Sequence, residues 1–223
     1  MNKPYIICYM MMSLDGRIDC KMTESLNGDE YYPILESLNI KNNINGKTTS
    51  LIEISSSKDK FKSNTYTKID KEIFYKVPSS KDYSIILDSK GELYYDSKEA
   101  NYLIITSLNT SKEYLNYLKE NNISYIVAGK DKIDLNKSLD ILYNEFDVKE
   151  CLLTGGGNIN GGFLKENLID DILILIGPGI DGRKNMTSVF DGLSSDSKVT
   201  QLKLKDVKSY SSGAVLLKYS VIK

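Results

Sequence analysis

The chain of 223 residues carries 29 basic and 30 acidic side chains, a formal charge of −1, so no overall basic field draws it to nucleic acid or to an anionic membrane. It contains no histidine. That excludes Ser-His-Asp and Cys-His catalysis and the usual zinc-hydrolase site, and it leaves carboxylates, lysines, hydroxyls or a cofactor to carry any chemistry. With 41% hydrophobic residues the chain can bury a core as a single domain over 1–223. Three cysteines, Cys8, Cys20 and Cys151, form no C-x-x-C pair and read as inert thiols of a reducing compartment. No apolar span is long enough for a membrane helix, and the apolar start reaches charge too soon for a signal peptide, so a cytoplasmic protein with small-molecule partners and no metal is expected.

Tyr5 to Met12, "YIICYMMM", is a continuous apolar run of strand length that ends at the turn pair Asp15-Gly16. Tyr31, Ile34, Leu35 and Leu38 then recur at helical spacing, with Asn27 and Glu30 placed as a capping box and Pro33 in the first turn. This predicts a helix from about Asp29 to Leu38. Residues 55–82 are rich in Lys, Ser and Thr and read as a solvated excursion that could act as a lid. The runs "YSIILDS", "NYLIITS" and "SYIVAG" follow as strands. Between and after them, Thr110 with Glu113 forms a second capping box and Asp134 caps a third helix. After "DDILILIG", two strand-like runs flank a turn near Ser211 to Gly213, an antiparallel hairpin. The β-α-β-α alternation predicts an α/β fold with a mainly parallel sheet covered on both faces.

In "CLLTGGGNINGGFL", Cys151 to Leu164, three glycines separate a strand from a helix. Two readings stay open. The glycines let a phosphate approach the helix N-terminus, or they make a tight turn that packs strand and helix together. The dinucleotide fingerprint G-x-G-x-x-G fails, because Asn160 stands where its last glycine belongs. In "GKTT", the glycine a P-loop needs five positions before Gly46 is Lys41.

On "MMMSLDGRID", "IILDSKG" and the long block running from Ile133 to Gly182, the sequence resembles the dihydrofolate reductase-like fold. Within that fold it is similar to the reductase domain of bacterial riboflavin biosynthesis, the C-terminal half of RibD. The resemblance implies a three-layer α/β fold with a C-terminal antiparallel hairpin, and an NADPH-dependent reductase that commonly dimerises through its sheets. It assigns cofactor binding to Met12, to Gly46, Lys47, Thr48 and Thr49, to Asp88 and Ser89, and to Thr154, Gly155, Gly156, Gly157, Asn158 and Ile159. Lys47 and Ser89 would face the adenosine 2′-phosphate, and the glycine run the pyrophosphate. Ser13 and Asp15 are the catalytic candidates; Arg17 and Asn160 are the substrate-binding candidates.

Thr154 replaces the family's glutamate before the glycines, and the family's "DDPxLT" segment is absent; both belong to the substrate side. The expected reaction is hydride transfer to a small polar substrate such as 5-amino-6-(5-phosphoribosylamino)uracil. A dihydrofolate or pterin reductase and a non-catalytic NADP-binding sensor are the alternatives.

Overall fold

A computed structural model describes residues 2–18, 20–26, 28–53, 60–78, 80–95 and 100–223. In chain order its elements are β1 (Tyr5–Met12), α1 (Cys20–Thr23), α2 (Tyr31–Ser37), β2 (Asn43–Gly46), α3 (Lys47–Glu53), β3 (Ile73–Tyr75), β4 (Ser84–Leu87) and β5 (Tyr102–Thr106). They continue with α4 (Lys112–Glu120), β6 (Ser124–Val127), α5 (Leu135–Asn144), β7 (Glu150–Leu153), α6 (Gly157–Lys165), β8 (Asp171–Ile176), β9 (Leu202–Ser209) and β10 (Val215–Val221). The chain forms two compact units, residues 1–4 with 41–151, and residues 5–40 with 152–223.

In the first unit the strand order is β3-β6-β5-β4-β2. Strands β2, β4, β5 and β6 run parallel, and β3 pairs antiparallel with β6 at the edge. Ile86, Tyr102, Ile104, Tyr125 and Val127 share one face and pack against Tyr114, Leu115 and Leu118 of α4. The alternate residues Ile85, Leu103, Ile105 and Ile126 are equally buried, so these strands are apolar throughout, as a sheet covered on both sides requires. In the second unit the order is β7-β1-β8-β10-β9. Here β1 and β8 are parallel, and β10 runs antiparallel to both β8 and β9. Tyr9, Met11, Leu173, Leu175 and Leu216 make one face, sealed by Ile34 of α2. The mostly parallel sheet with a C-terminal hairpin is the predicted one. The hairpin turns through Tyr210 to Ala214, with Gly213 at φ +91°, a conformation that glycine adopts without strain.

Helix ends depart from the sequence reading in instructive ways. Asp134 caps α5 as expected, its Oδ1 accepting from the Lys137 N–H at 2.9 Å. The cap of α4, however, is Ser111 rather than Thr110, and Glu113 turns away from the helix to accept from the Thr67 N–H and hydroxyl at 3.0 and 2.6 Å. Thr110 is left with a buried, unpartnered hydroxyl. Glu30 ends the chain's approach to α2 without capping it, and its carboxylate accepts from Ser212 at 2.6 Å; Asn27, its expected partner, lies outside the described residues. The excursion is exposed along most of its described length, as expected, but it is anchored at several points. Phe61 packs on Tyr94, Tyr114 and Tyr117, Ile69 is buried, and β3 joins the sheet, while residues 54–59 and 79 lie outside the described set.

Candidate active site

In the first unit the parallel register pairs Gly46 with Leu87, which sets Lys47, the first residue of α3, beside Asp88 at the carboxyl ends of β2 and β4. Such strand ends are where parallel α/β sheets take ligands. Asp88 is fully buried, and its Oδ2 accepts from the Glu92 and Leu93 N–H groups at 2.7 and 3.1 Å. Its Oδ1 has no partner, and burial pushes the carboxyl up from its ordinary value. Asp88 therefore folds the turn to residue 93 and delivers Glu92 to Lys47, whose ammonium hydrogen-bonds the Glu92 carboxylate. Lys60 stands 3.8 Å from the same carboxylate. Ser89 and Thr48 are exposed and Thr49 is half-buried. The Ser89 carbonyl accepts from the Ser107 hydroxyl at 2.8 Å.

In the second unit Met12 ends β1 opposite Ile176, and its carbonyl accepts from Gly177. The next residues form a tight loop. The Ser13 hydroxyl donates to Asp15 at 2.6 Å and accepts from the Arg17 N–H at 3.1 Å, while Asp15 also accepts from the Asp181 and Gly182 N–H groups at 2.9 and 3.0 Å. Those donors, the Ser13 hydroxyl first, hold the Asp15 carboxyl far below the usual carboxylate range. Asp15 is thus an ionised clamp between two loops, not a group poised to donate a proton. The Arg17 guanidinium donates through Nη1 to the Met186 carbonyl at 2.6 Å, and its buried Nε has no partner.

The glycine run has an unexpected neighbour. Gly156, the N-cap of α6, sits at φ +58°, where an L side chain is strained. A Cβ on Gly157 would lie 2.1 Å from the Ser188 carbonyl oxygen, and one on Gly161 would lie 1.8 Å from that of Asp191. The bare face of α6 is therefore filled by residues 187–191 of the protein itself, which gives Gly157 a packing reason to lack a side chain. Asn160 is buried under the same segment, its amide donating to the Val189 carbonyl at 2.9 Å while its Oδ1 stays unpartnered. Asp191 accepts from the Ser188 N–H and hydroxyl at 2.8 and 2.6 Å and puts negative charge at the positive end of the helix dipole. What remains for an anion are the N–H groups of Gly157 and Asn158, because those of Ile159 and Asn160 already donate to the Gly156 carbonyl at 3.1 Å. Asn158 is exposed there, Ile159 half-buried and Gly155 buried; Thr154 is half-buried just before them.

Beside the Asp15 clamp, a cavity of about 420 Å³ opens between Leu14, Ile176, Pro178, Ile180 and Val215. Its walls are apolar, and it lies at the carboxyl end of β8. Neither it nor Glu92 nor the segment 186–191 was expected from the sequence. Among the described residues no cluster of three acidic or cysteine side chains could hold a metal ion, and no helix is long and apolar enough to cross a membrane.

The family described as "RibD C-terminal domain" matches residues 4–216. A protein of Aquifex aeolicus named 2,5-diamino-6-ribosylamino-4(3H)-pyrimidinone 5′-phosphate reductase is 27% identical over 198 residues, 86% of this chain and 84% of that one. A Methanothermobacter thermautotrophicus protein of the same name is 28% identical over 97 residues, 43% of this chain and 44% of its own. Among solved structures, a pyrimidine reductase-like protein from Corynebacterium diphtheriae aligns with a TM-score of 0.74 at 19% identity, covering 100% of this chain and 93% of that one. The Saccharomyces cerevisiae riboflavin biosynthesis reductase Rib7 gives 0.65 at 18%, covering 99% and 90%. At such identities the structural likeness establishes the dihydrofolate reductase-like fold.

Proposed function

This chain belongs to the RibD C-terminal domain family, and from that premise we propose that it is a riboflavin-pathway reductase that passes hydride from a nicotinamide dinucleotide to a ribosylaminopyrimidine 5′-phosphate. The observation that carries this reading is the family match over residues 4–216, joined to an Aquifex relative whose name states such a reaction. That relative favours the 2,5-diaminopyrimidinone as substrate over the uracil first expected from the family resemblance. The two share the reacting part. Opening of the ribosyl ring breaks C1′–O4′ as a proton from solvent adds to O4′ and the amine lone pair forms C1′=N, leaving an iminium; hydride then adds to C1′ and gives a neutral ribitylamine.

The reduced nicotinamide, when bound, supplies the hydride. The chain supplies position and an apolar wall. The Ser13-Asp15 clamp fixes the loop after β1, and the apolar cavity walls at Leu14, Ile176, Pro178 and Val215 offer a flat ring an apolar surface. We assign Arg17, with its free Nε, to the substrate phosphate, and Asn160 to holding residues 187–191 beside it rather than to direct contact. In the first unit Lys47, Thr48, Thr49 and Ser89, with Gly46 giving backbone access, are assigned to the adenosine end of NADPH. Asp88 acts there through the turn it folds. In the second unit Met12 and the backbone of Thr154 to Ile159 are assigned to the pyrophosphate and nicotinamide.

The whole chain acts as one reductase in the cytoplasm, and its macromolecular partner is a second copy of itself. Leu217, Tyr219 and Val221 of β10 pair across the ladder with Val207, Leu204 and Leu202 of β9, which puts all six on one face. Leu204 and Val207 are 52% and 53% exposed, an apolar strip that a second sheet would cover. Oxidation of reduced cofactor with each ribosylaminopyrimidine phosphate and with dihydrofolate tests the function. Turnover with dihydrofolate alone would replace it by the folate reading.

A further inference from the structure

The Lys47 ammonium, assigned above to the adenosine 2′-phosphate, already has an anionic partner in Glu92. This partner is built in. The Glu92 N–H is held at 2.7 Å by the buried Asp88 carboxylate, and its carbonyl accepts from the Phe61 N–H at 2.8 Å. Lys60 and Leu93 bridge on the next step of the chain. Both main-chain groups of Glu92 are thus hydrogen-bonded, and Phe61 itself packs on Tyr94, Tyr114 and Tyr117. The side chain stands where it must meet Lys47, with Lys60 3.8 Å away.

We propose that Glu92 is an internal stand-in for the cofactor phosphate and sets how strongly the protein discriminates between phosphorylated and unphosphorylated dinucleotides. A 2′-phosphate carries close to two negative charges and claims the same ammonium, so it must first displace Glu92 from Lys47. An unmodified ribose offers hydroxyls that can donate to a carboxylate and leaves the Lys47-Glu92 pair intact. Glu92 therefore moderates the preference that Lys47 creates. Lysine alone would give a stronger one. The hydrogen bond from Lys47 draws the Glu92 carboxyl down from its ordinary value, in keeping with a close ionic partner.

The inference rests on the assignment of Lys47 to the cofactor phosphate, and the test separates the two. NADP⁺ and NAD⁺ are titrated calorimetrically into the parent, Glu92→Gln, Lys47→Ala and the double variant, each first checked for folding by circular dichroism. Glutamine keeps the size and the main-chain bonds. Glu92→Gln is expected to tighten NADP⁺ about five- to ten-fold, a change of about 1 to 1.4 kcal/mol, without tightening NAD⁺. Lys47→Ala should collapse the preference, and Glu92→Gln should add nothing on that background. If Lys47→Ala removes the preference but Glu92→Gln leaves the NADP⁺/NAD⁺ ratio unchanged, the role of Glu92 is overturned and the cofactor assignment stands. A gain that persists in the double variant also overturns it, because Glu92 then repels anions without occupying Lys47. If Lys47→Ala leaves the ratio unchanged, the cofactor assignment itself fails and this inference with it.

Discussion

Replacing Gly157 by alanine asks whether the glycine run serves the ligand or the fold. The new Cβ would sit 2.1 Å from the Ser188 carbonyl oxygen and 3.0 Å from both Asp191 Oδ2 and Thr187 Cγ2. The obstacle is main chain and cannot rotate away. The Ile18 N–H donates to the Thr187 carbonyl, the Val189 N–H to Gly16, the Asp191 N–H to Gly157, and the Asn160 amide to Val189. Overpacking against a fixed neighbour costs about 3 kcal/mol at the upper end of its usual range. Alanine returns up to about 1 kcal/mol of helix propensity, which leaves a net loss of about 2 kcal/mol. For a chain of this size that lowers Tm by roughly 4–8 °C. Thermal unfolding without ligand, run beside cofactor titration of the folded fraction, reads both quantities. The account expects an earlier melt with affinity changed less than about three-fold, under 1 kcal/mol. An unchanged melt with cofactor binding weakened ten-fold or more would refute it and return the missing Cβ to the phosphate.

Lys47→Ala should lower the preference for NADPH over NADH by about one to two decades, the contribution of a charge-assisted contact of about 1.5 to 3 kcal/mol, measured as a ratio of Kd values. Glu113→Gln tests the linkage of charge to stability. The Thr67 N–H and hydroxyl pull its carboxyl down to about 2, so the stabilisation is present above pH 4.5 and is lost as pH falls toward 2. Urea midpoints of parent and variant should differ near neutrality and converge as the solution is acidified through that window; a constant gap would contradict it. Leu204→Lys, in the middle of the exposed β9 strip, should shift light scattering from a dimer toward a monomer at micromolar protein without altering the far-ultraviolet spectrum.

The strands that bury both faces were legible because nothing but a central strand needs runs such as Ile85 to Leu87 or Leu103 to Ile105. The cap at Asp134 was legible for the same local reason. Strand β2 was not, since "NING" offers only Ile44 as an apolar residue and its pairing with β4 is a long-range fact. The cap of α4 moved by one residue because Glu113 found better donors in Thr67, far away in sequence. The site divides in the same way. Lys47, Asp88 and Ser89 were expected from the family resemblance, and the register sets Lys47 beside Asp88. Glu92 escaped notice because its position depends on a buried hydrogen bond from its own N–H to Asp88. The glycines were seen with the phosphate and packing readings both open, because the segment that fills their empty face is polar, irregular and some thirty residues downstream.

The central claim is hydride transfer to a ribosylaminopyrimidine phosphate, and its most direct measurement follows loss of NADPH absorbance with 2,5-diamino-6-ribosylamino-4(3H)-pyrimidinone 5′-phosphate while mass spectrometry follows the product. The account predicts substrate-dependent oxidation of the cofactor, with a product that has gained two hydrogens and a deuterium at C1′ when the cofactor hydride is labelled. Cofactor that binds but is not oxidised, with this substrate or its uracil counterpart, would contradict it and leave a dinucleotide-binding protein without reductase activity.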